Sequence, residues 1–312
     1  MLAFQYPYQK GRYTWHGANV RAFGGSNKGR LRRVYNWIQI WAELRRIKKS
    51  RNILGLLSFW MGECALVGGW FARRNKLKHF CWICGQDARP GNRYFKRVKP
   101  AGASLITLSD FLARSVYKNY GIMPSHVIPG GVMPELFGCT SQEKDIDVMA
   151  CGSLIQLKQF NLFIETISRL RKTFPGIKAV LCGDGPEKDR LLQIIRKLDL
   201  QNNIRLTGAL PHGDVLKLMQ QAKVFLHTSG YEGQGMVMAE ALFARARVIS
   251  FVKPFDCDIE NWQTACNTME MATMAAKILA DSKMIYRSVA PFLMQDTANS
   301  ILALYDNEAA TS

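Results

Sequence analysis

The sequence predicts an α/β protein of two domains, each a parallel sheet with helices on both faces, the two facing each other across a cleft. Three observations carry that expectation. Short apolar runs alternate with helix-length segments along most of the chain, the pattern of repeated βαβ units. The alternation stops at a polar stretch, 139–144, and then restarts. The charge divides at the same place. Residues 1–140 hold 23 Lys and Arg against five Asp and Glu, whereas residues 141–312 hold 19 of each. The expected organisation is therefore a basic domain over 1–140 and a neutral one over 141–288. A closing helical segment, 289–312, is expected to pack back toward the first domain. A chain of 312 residues suits two domains.

In the first half, Leu2–Tyr8 reads as the end of a strand running into a loop, and Trp15–Phe23 as a short hairpin. Gly24-Gly-Ser-Asn27 is a turn. Arg30–Lys49 follows as a basic amphipathic helix. Its apolar positions Leu31, Val34, Trp37, Ile38, Trp41, Leu44 and Ile47 recur at helical spacing. The segment 53–71 contains one charge, Glu63, and has the length of a membrane span. Glu63 at its centre and four glycines argue instead for a strand, 53–59, then a helix, 62–71. Strands are expected at 80–83, 104–108 and 126–129, with Ser109 capping a helix over 110–120.

The second half reads as strands at 147–151, 178–182, 203–206, 223–228 and 247–251. Helices are expected at 160–174, 187–198, 212–222, 236–246, 270–279 and 289–305. Three glycine-rich turns follow strands directly: Cys151-Gly152-Ser153, Gly183-Asp-Gly185-Pro186 and Glu232-Gly233-Gln-Gly235. Each falls at a carboxyl strand end, where parallel sheets bind ligands. The third opens a helix at Met236 and Val237, so backbone N–H groups can meet a diphosphate there. Lys158 supplies a point charge for the same anion. Glu232 and Glu240 bracket that turn and can reach hydroxyl groups on either side.

Composition narrows the function. With 48% apolar and 21% charged residues the chain is folded rather than disordered. The net charge of +18 implies a polyanionic partner. An anionic membrane surface fits; a nucleic acid is not expected, because no nucleic-acid-binding motif is present. Eight scattered cysteines suit a reducing, cytoplasmic setting, and no signal peptide is visible. Cys81-Trp-Ile-Cys84 is read as part of a buried strand, since no second pair completes a zinc site. Asp256-Cys-Asp258 resembles a metal-binding D-x-D only in form. No metal or other cofactor is expected.

The E-x7-E spacing with G-x-G inside it, followed by Ala241-Leu242, resembles the signature of glycosyltransferase family 4. Gly152-Ser-Leu-Ile-Gln-Leu-Lys158, Leu181-Cys-Gly-Asp-Gly-Pro-Glu187, Ile204-Arg-Leu-Thr-Gly208 and Pro211-His212 fit the same family, as do Leu108-Ser109 and Val127-Ile-Pro-Gly-Gly-Val132. The resemblance is strong over residues 104–250. It implies a GT-B fold of two Rossmann-like domains and a retaining, metal-independent transfer from a UDP- or GDP-sugar. It also implies residue roles. Gly152, Ser153, Lys158, Gly183, Gly185, Gly233, Gly235, Met236, Val237 and Glu240 would bind the donor, with Glu240 on the ribose hydroxyls. Glu232 would contact the transferred sugar at the reacting centre.

The chain also departs from the family. Arg245 stands where a glycine is usual, and Arg247 where a proline is. Ser153 replaces a phosphate-binding arginine, and Cys84 a histidine. The resemblance also implies that the first strand–loop–helix unit of the family is missing here, so the acceptor-side domain, 1–140, is expected to be incomplete. The expected activity is transfer to a glycan or lipid-linked acceptor, peripheral to the inner membrane face, in cell-surface polysaccharide or lipopolysaccharide synthesis. A non-catalytic nucleotide-sugar-binding or membrane-associated remnant is the alternative. An epimerase on the same architecture is a third reading.

Overall fold

The computed structural model describes residues 1–25, 29–138 and 143–306. Half of the predicted turn 24–27, most of the predicted linker 139–144 and residues 307–312 lie outside them. The chain forms two compact units. One comprises residues 1–108, 112–127 and 302–312, and the other 109–111 and 128–301.

The first unit begins with β1 (Leu2–Ala3), β2 (Lys10–Trp15) and β3 (Ala18–Phe23), which form a small sheet in the order β1-β3-β2. β2 and β3 are a hairpin, longer than the sequence suggests. Its two-residue turn, His16-Gly17, has φ of +46° and +77°, the signature of a type I′ turn that matches strand twist. After α1 (Arg30–Ser50) come β4 (Gly55–Phe59), α2 (Glu63–Asn75), β5 (Lys78–Ile83), α3 (Arg93–Val98), β6 (Leu105–Thr107), α4 (Asp110–Tyr120) and β7 (His126–Val127). β4 to β7 pair in sequence order as a parallel sheet. Residues 53–71 thus contain a strand and a helix, as expected. No described helix is long and apolar enough to cross a membrane. Glu63 starts α2, where its carboxylate accepts from Trp37 Nε1 at 3.0 Å and meets Arg33 at 3.1 Å.

α1 departs from its predicted burial. Ile40 and Leu44 pack with Phe23, Val67 and Phe71, and Trp37 and Trp41 lie against that cluster. Leu31, Val34 and Ile38 face solvent instead. Two of the positions on the inward face are polar, Asn36 and Glu43. Glu43 is buried because three arginines compensate it: Arg21 and Arg46, Nη2 of the latter at 2.6 Å, and Arg12 at 3.9 Å. A hydrophobicity pattern cannot register that compensation, so periodicity places Trp37, Trp41 and Leu44 correctly but puts Leu31, Val34 and Ile38 on the buried side with them.

The second unit is built on β8 (Ile146–Cys151), α5 (Phe160–Arg171), β9 (Ala179–Cys182), α6 (Lys188–Lys197), β10 (Ile204–Gly208), α7 (His212–Gln221), β11 (Ala222–His227), α8 (Met236–Phe243), β12 (Arg247–Ser250), β13 (Trp262–Thr264), α9 (Thr268–Ala280) and the first part of α10 (Met294–Asp306), whose residues from 302 on belong to the first unit. All six strands are parallel, in the order β10-β9-β8-β11-β12-β13. Val148, Ala150, Leu181, Val224 and Leu226 pack on one face under α5 and α9. Met149, Val180, Phe225 and Val248 pack on the other under α7 and α8. Burial on both faces explains why these strands read as continuous apolar runs. β13 carries no such signal, being three residues long with two of them exposed. α10 starts five residues later than predicted, because Leu293 is extended and bridges Val132.

α8 ends in a Schellman turn. Ala246 N–H donates to the Ala241 carbonyl at 2.9 Å, and Arg245 N–H to Leu242 at 3.0 Å. Arg245 therefore occupies the left-handed position, φ +68°, that favours glycine. β12 nevertheless keeps register, with Arg247 opposite Val224. A Cβ-bearing residue in this conformation costs roughly 1 kcal/mol. Arg245→Gly is expected to raise unfolding stability by about that amount, read from urea denaturation midpoints. An unchanged or lowered midpoint would show that the arginine side chain offsets its backbone strain.

Candidate active site

In this strand order the chain reverses direction between β8 and β11, and the crevice of a doubly wound sheet opens at the carboxyl ends of those two strands. The turns leaving β8, β9 and β11 are the three glycine-rich turns singled out from the sequence.

The first two turns lie against each other by backbone alone. Gly152 N–H donates to Cys182 O at 2.9 Å, and Leu154 N–H to Asp184 O at 2.9 Å. A Cβ on Gly183, at φ +153°, would sit 1.9 Å from the Gly152 carbonyl oxygen. One on Gly185, at φ +155°, would sit 2.6 Å from that of Leu154. Ser153 is exposed on the same surface.

The first turn is also tied to β11. Gly230 N–H donates to Leu157 O at 3.2 Å, and Thr228 Oγ1 to the Lys158 carbonyl at 2.8 Å. This brings Lys158 Nζ to 2.7 Å from Glu232 Oε2. His227, the last residue of β11 and 3% exposed, places Nε2 3.2 Å from the same oxygen. Burial alone would raise the Glu232 pKa, but the His227 hydrogen bond and the Lys158 charge outweigh it and hold it at about 2. Glu232 is therefore a carboxylate at any pH near neutrality and cannot serve there as a proton donor. Burial pushes the His227 pKa below its ordinary value, with Glu232 opposing.

The third turn is positioned from behind. Gln234 is 3% exposed, and its side chain brackets the Gly130 peptide. It accepts from Gly130 N–H at 2.7 Å and donates to Gly130 O at 2.5 Å. The Ser109 hydroxyl donates to the carbonyl of buried Gly233. Gly235, at φ +75°, is the N-cap of α8, which no side chain caps. Met236 and Val237 form its first turn, so helix N–H groups are left for an outside acceptor. Glu240, one turn further on, lies 2.9 Å from His212 Nε2. Burial raises its pKa, and His212 counters.

Gly152, Lys158, Glu232 and Gly235 thus form a contiguous set. A Gly152 Cβ would lie 3.7 Å from Lys158 Cε, and a Gly235 Cβ 3.1 Å from Glu232 Cγ. Glu240 and His212 make a separate pair. Two residues of the site carry no clear mark in the sequence, His227, which reads only as part of a strand, and Gln234; His212 is marked there by its fit to the family pattern but given no role. His227 has one available signal: it ends a central strand, where ligands bind. In the D-x-D sequence, Asp258 pairs with Lys253 at 2.7 Å, and the backbone N–H of Asp256 donates to Asp110 Oδ2 at 3.1 Å. Among the described residues, no group of three or more His, Cys, Asp or Glu is placed to hold a metal ion.

Comparison with known proteins bears on this site. Residues 137–263, which contain every candidate site residue, match the family described as glycosyl transferases group 1. The GPI3 subunit of phosphatidylinositol N-acetylglucosaminyltransferase from Saccharomyces cerevisiae is 25% identical over 208 residues, 60% of this chain and 46% of that one. The 2-deoxystreptamine N-acetyl-D-glucosaminyltransferase of Niallia circulans is 29% identical over 103 residues, 33% of this chain and 26% of that protein. The chain therefore spans a quarter to a half of the length of the curated relatives it matches. Among solved structures, sucrose-phosphate synthase of Thermosynechococcus elongatus superposes with a TM-score of 0.71 at 14% identity, covering 99% of this chain and 88% of that one. Residues 137–263 are thus similar to the glycosyl transferases of group 1, and the chain has the GT-B architecture of its structural neighbours.

Proposed function

We propose that the chain is a retaining glycosyltransferase that moves a sugar from a UDP- or GDP-sugar to a glycan or lipid-linked acceptor. The observation that carries this reading is the Lys158–Glu232–His227 set at the sheet's switch point, beside the uncapped start of α8. The departing group is a nucleoside diphosphate, so the main catalytic task is to stabilise developing negative charge. Lys158 and the α8 N–H groups do so without a metal. The acceptor oxygen bonds to the anomeric carbon on the face that the diphosphate leaves, and the acceptor proton passes to the departing phosphate oxygen. Glu232, permanently ionised, orients the sugar and faces the positive charge that grows on its ring. Glu240 holds the ribose hydroxyls.

Several relatives are N-acetylglucosaminyltransferases, which makes an N-acetylglucosaminyl donor the first to test. HepE of Anabaena, a structural neighbour, was solved with UDP and glucose, which favours uridine as the base. The lysine- and arginine-rich first half suits a cytoplasmic enzyme working peripherally on an anionic membrane face. Cell-surface polysaccharide or lipopolysaccharide synthesis is the setting that joins these features. The alternative, a non-catalytic nucleotide-sugar binder, is favoured by the strained Arg245 immediately after α8.

A thermal-shift screen of UDP-, GDP- and ADP-sugars tests the donor. One base should stabilise the protein, by about 2.7 kcal/mol at a hundredfold excess over Kd. Glu240→Ala should lose that gain. Stabilisation by none of the three would sink the proposal, whereas stabilisation without transfer to any acceptor would favour the non-catalytic binder.

A further inference from the structure

The outward face of α1 is the largest feature the donor site leaves unexplained. Leu31 is 89% exposed, Val34 47%, Tyr35 55% and Ile38 62%. They recur at i, i+3, i+4 and i+7, which places them in one stripe. The inward face, through Ile40 and Leu44, is already satisfied by Phe23, Val67 and Phe71. The stripe is therefore a second apolar face on a helix whose first is buried. It runs along the first turns of the helix. Further along the same outward side, exposed Arg45 and Lys49 replace the apolar residues, with Lys48 beside them and Arg51 just after the end. Lys10 of the neighbouring hairpin lies 5.4 Å above the Tyr35 ring. The hairpin's outer strand, β2, is exposed along its whole length and carries Tyr13 and Trp15.

We propose that this face of α1 is a membrane-docking surface whose partner is an anionic bilayer. Leu31, Val34 and Ile38 would enter the headgroup boundary, and the basic second half of the helix would lie on lipid phosphates. Three features select a bilayer over a protein. An isolated stripe of about two turns on a helix is the geometry of an interfacial helix. Tyr35 within the stripe, and Tyr13 and Trp15 exposed on β2, are of the kinds that favour the membrane–water boundary. The surrounding charge is of one sign, since residues 1–140 carry a net +18. Arg and Lys near an anionic surface contribute cumulatively, and the apolar residues add a contribution that salt does not screen. The inference rests on the proposed peripheral setting but not on donor identity.

The test is co-sedimentation of the full chain with vesicles of phosphatidylcholine, with and without phosphatidylglycerol. Wild type should bind the anionic vesicles at least tenfold more tightly than the neutral ones. The doubly substituted Leu31→Ser, Ile38→Ser chain should bind them at least tenfold more weakly than wild type. The Arg45→Ser, Lys49→Ser chain should lose binding at low salt and little more at high salt. Unchanged thermal unfolding of both variants establishes that they fold. An unaltered thermal shift with the nucleotide sugar separates this proposal from the donor reading, because none of these residues touches the donor site. Equal binding by wild type and the Leu31, Ile38 variant would overturn it. So would a dimer in sedimentation velocity that the same two substitutions convert to monomer with no loss of vesicle binding, since a second copy of the chain would then own the stripe.

Discussion

Lys158→Ala should reduce the rate of sugar transfer about a hundred- to a thousandfold, the usual effect of removing one group that stabilises a leaving anion. In the structure Lys158 pairs with Glu232 at 2.7 Å, and the donor diphosphate is the second partner that the proposed function gives it. The ion pair is half-buried on both sides, so the unliganded protein already holds the ammonium in place. Its removal also leaves Glu232 in a buried position with His227 as its remaining partner. The Glu232 pKa, held at about 2, should then rise, because the desolvation that opposes ionisation is less well countered. A carboxyl whose folded pKa is depressed contributes stability above its ordinary value of 4.5, and that contribution is lost as pH falls toward about 2. The variant should therefore depend less on pH across that window. Steady-state release of nucleoside diphosphate, with the donor found by thermal shift, reads the rate. The Glu232→Gln, Lys158→Ala double variant should lose less than the two single losses combined, since the two residues share one interaction. A rate within threefold of wild type in Lys158→Ala would remove the lysine from the reaction.

Gly183→Ala is the substitution expected to damage the fold most. Its φ of +153° is one that side-chain-bearing residues rarely adopt, and the new Cβ would sit 1.9 Å from a backbone oxygen. That oxygen belongs to the main chain and cannot swing away as a flexible side chain would. Strain and overpacking together should cost about 3–5 kcal/mol. Urea denaturation followed by circular dichroism measures the loss. Stability within about 1 kcal/mol of wild type would mean that the two turns separate easily, and that their contact is not what holds the phosphate side of the site.

The second unit is legible in the sequence because its physics is local. A strand buried on both faces is an apolar run, a glycine turn marks its carboxyl end, and the next helix has helical periodicity. β8 to β12 and α5 to α9 can all be placed this way, and so can the convergence of three turns at one edge of the sheet. What escapes depends on partners distant in sequence. His227 matters through Glu232 five residues on, but also through Lys158, 69 residues before it. Gln234 matters because Gly130 is there to be bracketed, 104 residues away. The outward stripe of α1 is hidden for the same reason. Glu43 looks like a surface residue until three arginines surround it. Arg245 stands out as a departure from the sequence pattern, but its left-handed backbone follows from the Schellman turn.

The Gln234–Gly130 bracket also sets the size of the smallest piece of this protein that can keep its donor turn. The family match begins at residue 137 and ends at 263. A fragment cut to those limits would lack Gly130, leaving a buried primary amide with both of its bonds unmade at a cost of a few kcal/mol. It would also lack Ser109, which holds the Gly233 carbonyl, and α9, whose Met271, Ala275 and Ile278 close one face of the sheet. Every candidate site residue would be present in such a fragment, and the scaffold that shapes them would not. Excised by protease or by cloning, the segment that carries the signature is expected to bind the proposed nucleotide-sugar donor more poorly than the whole chain does.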